Sequence, residues 1–200
     1  MAQAAPQTGA LEPPSTATPF QFPGYYSFPP FFTAQPNLVT RAAQHQKWSL
    51  LIQAYCRHNR IFVLSLIDAL NSPLFHNAAL NRRLSLNDAR EVLNWMASEP
   101  GGNRAEWIGG TGKAKTGAEK VWVYWRRPEE WASVLEGWVD GTGQKGSVLT
   151  LWELVEGEAT ASQEFHGMDM DLLQKSLQVL VKRGKAQIFG QEDSLGVKFF

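Results

Sequence analysis

The hydrophobic pattern of the chain changes from strand-like to helix-like around residues 125–131. Residues 121–125 are β-branched or aromatic, which is typical of a strand. Pro128 suits the first position of a helix, because it has no backbone N–H to leave unpaired, and the two glutamates after it add negative charge to the positive first turn. Apolar residues then recur at helical spacing, namely Trp131, Val134, Leu135, Trp138 and Val139. The chain therefore passes directly from one predicted folding unit into a second.

The unit before this junction is predicted to contain a helix, a strand, two further helices and a hairpin. The first helix covers residues 41–59 with Thr40 as the N-cap, and the strand covers 61–66. A short helix follows the turn at 72–75 and ends near Arg82 and Arg83, and the third helix starts at Ser85 with Asp88. The hairpin pairs residues 105–108 with 121–125. Cys56 falls on the apolar face of the first helix and is predicted to be a small buried hydrophobe. This order of elements is that of a winged helix.

The unit after the junction repeats this order. Its elements are a helix from Pro128, a strand over 147–149, a short helix opened by a capping box of Thr150 with Glu153, a helix capped by Asp169, and a hairpin of 186–189 with 197–200. The predicted fold class is therefore α+β, with two tandem winged-helix domains over residues 38–126 and 127–200.

Two segments of different character precede the first domain. Residues 1–19 are rich in Ala, Pro, Thr and Gln and carry too little apolar surface to offset the entropy of ordering, which predicts a disordered tail. In residues 20–37, aromatic residues alternate with prolines, and prolines disfavour a helix and remove backbone donors. The prediction is an extended or polyproline-II arm. Its aromatics either fold back on their own domain or insert into a partner, and the pattern favours the partner because such segments lose little entropy on docking.

Charge and cysteine content narrow the class of protein. Nineteen basic and nineteen acidic residues cancel, so the overall field that draws a protein to DNA or to an anionic membrane is missing. Cys56 is the only cysteine, which excludes an intramolecular disulfide and a zinc site built from cysteines. No positive charge precedes Arg41 and no apolar run reaches the length of a membrane span. The expectation is an intracellular protein without a signal peptide.

Motifs for catalysis or cofactor binding are weak. The glycine-rich run at 109–113 lacks the spacing and the following helix of a phosphate-binding loop, so it is predicted to be the tip of a wing. Lys113, Lys115 and Lys120 could contact phosphate there, although a solvated loop is favoured at zero net charge. The histidines form no metal motif, and no nucleophile elbow marks a serine. We therefore predict no catalytic residue, no metal site and no cofactor.

Two groups of charged residues leave alternatives open. Arg82 and Arg83 lie beside a predicted turn and are either solvated surface charge or a contact site. An acidic group surrounds the short helix of the second domain, and it consists of Glu153, Glu156, Glu158 and Glu164. This group either serves solubility or complements a basic helix of a partner.

Five separated motifs resemble one known family. They are residues 27–37 (SFPPFFTAQPN), 125–131 (WRRPEEW), 149–154 (LTLWEL), 164–168 (EFHGM) and 196–200 (GVKFF). Together they are similar to the small-subunit family of the endosomal sorting complex ESCRT-II, from about residue 22 to the C-terminus. The resemblance implies two winged helices in tandem, in agreement with the pattern of elements.

The resemblance also implies partners for the N-terminal half. Two copies of such a subunit join two larger ESCRT-II subunits in a Y-shaped complex that sorts ubiquitinated membrane cargo into multivesicular bodies. The family's Pro-Pro-x-Tyr-like segments dock into the larger subunits, and an arginine after a short helix inserts there. The residues that match are Pro23, Tyr25 and Tyr26, then Pro29, Pro30, Phe31 and Phe32, and finally Arg82. Gly24 and Phe32 depart from the motif, since Gly24 stands in place of a proline and Phe32 in place of a tyrosine.

For the second domain, the resemblance implies docking of the ESCRT-III subunit that starts filament assembly. From position and charge, Thr150, Glu153, Glu156 and Glu164 are the expected contact residues. The protein is expected in the cytoplasm, recruited to the endosomal membrane, with membrane contact only through the complex and with no nucleic acid. The alternative from the fold alone is a tandem winged-helix nucleic-acid-binding protein, which the zero net charge and the aromatic arm disfavour.

Overall fold

A computed structural model describes residues 18–109, 117–190 and 195–200. The predicted tail and the tip of the first wing, with Lys113 and Lys115, lie almost entirely outside these residues. The first unit consists of α1 (Leu38–His58), β1 (Val63–Ser65), α2 (Leu66–Asn71), β2 (His76–Asn77), β3 (Arg82–Arg83), α3 (Leu86–Met96), β4 (Ala105–Ile108) and β5 (Lys120–Val123). The second consists of α4 (Pro128–Thr142), β6 (Val148–Thr150), α5 (Leu151–Glu156), α6 (Met170–Lys182), β7 (Ala186–Phe189) and β8 (Gly196–Phe199).

Each unit folds its last hairpin against the strand that follows its first helix. All pairs are antiparallel, and the strand orders are β1-β5-β4 in the first unit and β6-β8-β7 in the second. In both sheets the last strand of the unit is therefore central. The predicted α+β class with two tandem winged helices is confirmed.

Helix α1 begins three residues before the predicted start, and its cap is a different residue. The side-chain oxygen of Asn37 accepts hydrogen bonds from the backbone N–H groups of Val39, at 2.9 Å, and of Thr40, at 3.1 Å. Thr40 is thus inside the first turn, and the prediction that it forms the N-cap is wrong. Both residue types favour caps, and the extended backbone of Asn37 decides between them.

The short helix of the first unit also lies earlier than predicted. Leu66–Asn71 forms α2, with the Ser65 hydroxyl as its cap, whereas residues 72–83 form turns and the two-residue hairpin of β2 with β3. The apolar run at 61–66 is shared between a strand and the start of a helix. A short apolar run fits either element, so periodicity alone could not divide it.

The other helix starts follow the sequence signals. The Ser85 hydroxyl accepts from the Asp88 N–H at 3.1 Å, and the Asp169 carboxylate accepts from the Leu172 N–H at 3.1 Å. At the junction, Pro128 opens α4 and the Glu130 carboxylate accepts from the Arg127 N–H at 2.7 Å. These predicted starts are confirmed, and so is Cys56 as a fully buried residue, whose burial raises the pKa of its thiol.

The two units share a hydrophobic core at the junction. Phe62, Trp122 and Tyr124 belong to the first unit by sequence but are buried among side chains of α4 and α6. The Trp122 indole N–H donates to the Asp169 carboxylate at 2.9 Å, at the start of α6. Phe62 lies with its ring centroid 6.0 Å from that of Trp131 on α4. The second winged helix is therefore completed by aromatic side chains of the first.

A membrane-spanning helix and a metal-binding cluster are both absent from the described residues. In residues 18–109, 117–190 and 195–200, no helix combines the length and the hydropathy that a membrane span requires. The same residues contain no group of three or more His, Cys, Asp or Glu side chains placed to hold a metal ion.

Candidate docking surfaces

The aromatic arm is folded into two short 3-10 turns, Gly24–Ser27 and Pro29–Phe32. The Tyr26 N–H donates to the Pro23 carbonyl at 2.9 Å, and the Phe31 N–H donates to the Phe28 carbonyl at 2.9 Å. Proline is compatible with the first turn of such helices, where its missing N–H has no partner to lose. The predicted extended or polyproline-II backbone is therefore wrong for these residues.

Three of the predicted anchors of the arm are buried in the first domain itself. Tyr26, Phe31 and Phe32 are 6%, 5% and 4% exposed. The ring of Phe31 stacks on Trp48 of α1 with centroids 4.2 Å apart, and Phe32 meets the same indole edge-on at 5.5 Å. The interpretation that Phe31 and Phe32 are left exposed for a partner is wrong, because Trp48 supplies the apolar surface that covers them.

Polar groups of α1 hold the arm in this position. The Gln44 side-chain amide donates to the carbonyls of Phe31, at 2.8 Å, and of Thr33, at 2.9 Å, while the Trp48 indole N–H donates to the Phe31 carbonyl at 3.2 Å. The backbone N–H groups of Tyr26, Phe31 and Thr33 donate to other carbonyls, and a buried carbonyl without a partner is costly. Gln44 and Trp48 therefore fix the arm to its own domain.

The arm is also joined to the small hairpin of β2 and β3. The Asn77 side-chain amide donates to the Tyr26 carbonyl at 3.0 Å, and the Tyr26 hydroxyl donates to the Pro73 carbonyl. Burial, with a smaller contribution from Tyr55, raises the pKa of Tyr26 to about 12. The hydroxyl is thus a neutral donor around pH 7, and the arm and the hairpin form one continuous surface.

The exposed part of this surface differs from the predicted set. Phe28 is 60% exposed, Pro29 and Pro30 are exposed, and Pro23 and Tyr25 are half-buried. Arg82 and Arg83 form β3, which contacts the second 3-10 turn, and both are exposed. No carboxylate of the described residues lies within ion-pairing distance of either arginine. We call Phe28, Pro29, Pro30, Arg82 and Arg83 the arm–hairpin face.

In the second domain, two predicted contact residues also cap α5. The Glu153 N–H donates to the Thr150 hydroxyl at 3.1 Å, and the Thr150 N–H donates to the Glu153 carboxylate at 2.7 Å. Hydrogen bonds from the backbone and the hydroxyl of Thr150 lower the pKa of Glu153. The predicted capping box is confirmed, and Glu153 remains exposed and ionised around pH 7.

A groove of about 300 Å³ lies beside this cap. Trp138 from α4, Leu149 from β6 and Trp152 from α5 contribute its large apolar side chains, and Trp152 is 60% exposed. Glu153 and Glu158 contribute carboxylates to the lining. We call this surface the α4–α5 groove. Its lining combines large apolar side chains with two carboxylates.

Glu164 does not belong to this groove. Its carboxylate accepts a hydrogen bond from Arg126 Nε at 2.8 Å and forms an ion pair, without hydrogen-bond alignment, with Arg57 Nε at 2.9 Å. Arg57 lies in the last turn of α1 and Arg126 in the junction between the domains. The prediction that Glu164 lies at the exposed edge of α5 is wrong, since two arginines outside the second domain draw its carboxylate to the junction.

Comparison with known proteins identifies the family of this chain. The family model for the ESCRT-II complex subunit matches residues 25–169, more than half of the chain. This chain belongs to the ESCRT-II subunit family. It is 42% identical over 181 residues to vacuolar protein-sorting-associated protein 25 of Xenopus laevis, covering 90% of this chain and 99% of the relative. It is 41% identical over 184 residues to the protein of the same name of Homo sapiens, covering 92% and 99%.

Two solved structures are similar to this ESCRT-II family member throughout the described fold. The crystal structure of subunit VPS25 of the endosomal trafficking complex ESCRT-II matches with a TM-score of 0.78 and 31% identity, covering 89% of this chain and 98% of that chain. A chain of the crystal structure of the endosomal complex ESCRT-II (VPS22/VPS25/VPS36) also matches, with a TM-score of 0.76, 32% identity, and coverage of 88% of this chain and 98% of that chain.

In this ESCRT-II family member, helix α3 offers no free cation for a nucleic acid. In DNA-binding winged helices the corresponding helix reads the major groove. Arg90 is the only basic residue of α3, and it donates to the Ala118 carbonyl at 2.9 Å with its guanidinium 5.0 Å from the centre of the Trp107 ring. Asp88 and Glu91 add negative charge to the same helix. These contacts disfavour the nucleic-acid alternative.

Sequence reasoning missed Phe28 and Gln44 as important residues of the arm–hairpin region. Phe28 is the most exposed aromatic of the arm, but it directly precedes Pro29 and Pro30 and so lies just outside the Pro-Pro motif. Gln44 is buried on the face of α1 that carries Trp48, and a polar residue at an apolar position was the available signal. A buried glutamine requires partners, and here the partners are carbonyls of the arm.

Proposed function

We propose that this chain is a non-catalytic adaptor subunit of an ESCRT-II complex that sorts ubiquitinated cargo into multivesicular bodies. The relatives are sorting proteins by name, and a similar chain occurs in a crystal structure named as a complex of VPS22, VPS25 and VPS36. In this proposal two copies of the chain join two larger subunits. The complex forms in the cytoplasm, and the chain reaches the endosomal membrane only as part of it.

The arm–hairpin face is the proposed contact with the larger subunits. Its exposed apolar turn at Phe28, Pro29 and Pro30 lies next to two arginines without a carboxylate partner in the described residues. An apolar anchor beside a planar, multidentate donor is a common composition of binding hot spots. The 3-10 turns that carry this face are held in place by three buried aromatic residues, Tyr26, Phe31 and Phe32.

Co-purification tests the proposal directly. The tagged chain, expressed in cells, is expected to bring down the two larger ESCRT-II subunits in a ratio of two copies of this chain to one of each. Recovery of the chain without those subunits, from cells in which they are abundant, would contradict the proposed function.

Arg82→Lys is expected to bind the larger subunits nearly as poorly as Arg82→Ala, with a loss of about tenfold or more in affinity. A guanidinium donates several planar hydrogen bonds that an ammonium group cannot reproduce. Titration of the purified larger subunits measures the effect, with Arg183→Lys, an exposed arginine in the second domain, as the control. Full affinity for Arg82→Lys would reduce Arg82 to a generic positive charge.

The α4–α5 groove is the proposed docking site for the ESCRT-III subunit that starts filament assembly. Its combination of apolar side chains and carboxylates suits a basic amphipathic helix. Thr150 and Glu153 cap the start of α5 beside the groove, while Glu156 and Glu158 are exposed at its end and just after it. Glu164 takes the separate role of holding the domain junction.

Reversal of Glu156 and Glu158 to lysine is expected to slow association with the first helix of the ESCRT-III subunit by about tenfold or more at low salt. It is also expected to flatten the salt dependence, because like charges then repel the approaching helix. Stopped-flow measurements on the full chain test this, and Glu129→Lys, which reverses an exposed glutamate in the first turn of α4, is the control for a charge reversal elsewhere on the second domain. Equal rates for both variants would exclude the α4–α5 groove as the docking site.

A further inference from the structure

Helix α1 carries apolar residues on two opposite faces. Trp48, Leu51 and Ile52 pack into the core, while Val39 is 80% exposed and Leu50 is 55% exposed on the other side. A surface helix normally keeps its apolar residues on the side of the core. The outer face of α1 therefore contains apolar surface that the free subunit leaves uncovered.

Beside this apolar surface, the arm and the flank of α1 enclose a groove of about 160 Å³. Tyr25, Phe28 and Pro30 form its wall on the side of the arm. Thr40, Ala43 and Lys47, which are exposed and lie on one face of α1, form the opposite wall. We call this surface the arm–α1 groove.

The arm–α1 groove is formed before any partner binds. At its base, Gln44 donates to the carbonyls of Phe31 and Thr33. Across it, the Tyr25 hydroxyl donates to the Lys47 carbonyl at 3.3 Å. These bonds tie both walls together, so little conformational entropy is lost when a side chain enters.

The chemistry of the lining selects the occupant. Lys47 is the one charged residue among those that line the groove in the described part of the chain, and its ammonium lies 5.7 Å from the centre of the Tyr25 ring. The rest of the lining is aromatic, aliphatic or neutral and polar. Phe28 and Pro30 belong both to this groove and to the arm–hairpin face, so a partner on that face also reaches the groove.

We propose that the arm–α1 groove receives one bulky apolar side chain of a larger ESCRT-II subunit, with a neighbouring carboxylate of that subunit paired to Lys47. This inference rests on the proposed function. There, side chains of this chain contact the larger subunits, and the inference adds a pocket of this chain that receives a side chain from them. The subunit thus both presents an apolar turn and accepts an apolar anchor. Buried anchors of this kind are where the binding energy of an interface concentrates.

Ala43→Trp tests the inference, because the indole fills the groove from an exposed position of α1. Ala54→Trp is the matched control: it places the same side chain on an exposed position of the same helix that does not line the groove. Titration of the purified complex of the two larger subunits is expected to show at least about tenfold weaker binding for Ala43→Trp and unchanged binding for Ala54→Trp. Lys47→Glu is expected to weaken binding and to reduce its salt dependence.

The outcomes separate this inference from the proposed function. If Ala43→Trp and Lys47→Glu bind like Ala54→Trp while Arg82→Ala binds poorly, the arm–α1 groove is empty in the complex, and the inference is wrong although the proposed function stands. If the unaltered chain does not bind the larger subunits, both fail. Melting temperatures within a few degrees of the parent for all three variants would show that any loss of binding is not a loss of folding.

Discussion

The double variant Phe31→Ala/Phe32→Ala is expected to lower the free energy of unfolding of the free subunit by at least about 3–5 kcal/mol. Both rings are buried, and both contact Trp48. Truncation removes their transfer free energy and leaves a cavity between the arm and α1. The two losses are not independent, because the rings also contact each other at 5.9 Å. Urea denaturation of the isolated chain measures the effect.

Phe28→Ala is the control for this prediction, because it removes an aromatic ring of the same arm that is 60% exposed. Its free energy of unfolding is expected to stay within about 0.5 kcal/mol of the parent value, while its affinity for the larger subunits falls. The arm thus contains one set of aromatics for stability and another for contact. A double variant that unfolds like the parent would show that the turns detach from α1 in solution, as the sequence alone had suggested.

Phe62→Ala is expected to cost about 3–5 kcal/mol and to loosen the second domain, although Phe62 lies before β1 in the first. The ring is 4% exposed, and its centroid lies 4.7 Å from that of Trp125 and 6.0 Å from that of Trp131. Its loss opens a cavity against α4. Hydrogen exchange is expected to show reduced amide protection in α4 and α6.

Leu64→Ala is the matched control for Phe62→Ala. Leu64 is equally buried at 4% and lies two residues further along, but it belongs to the core of the first domain. Its truncation is expected to reduce amide protection against hydrogen exchange more in α1 and α3 than in α4 and α6. If Phe62→Ala left the protection of α4 and α6 unchanged, the shared core would not couple the two domains.

The shared core determines how the second domain should be studied. A fragment that starts at Pro128 lacks Phe62, Trp122 and Tyr124, all of which are buried among its side chains in the full chain. Such a fragment exposes the apolar surface that these rings cover. Binding experiments on the α4–α5 groove therefore require the full chain.

The sequence by itself determined the features whose causes lie within a few residues of each other. The starts at Ser85, Thr150 and Asp169 each depend on a side chain and an N–H group three residues apart, and all three occur as predicted. The start at Pro128 depends on the missing N–H and on Glu130. The repeated order of elements follows from such local signals together with helical and strand periodicity.

Only the tertiary structure decided which exposed-looking residues were in fact buried or paired. Phe31 is covered by Trp48, and Glu164 is held by Arg57, and in both cases the partner is distant in the sequence. The apolar run at 61–66 supplied a strand, a helix start and, at Phe62, part of the other domain's core. Burial and ion pairing depend on which surfaces the fold brings together, and a local pattern carries no information about a partner that distant parts of the chain provide.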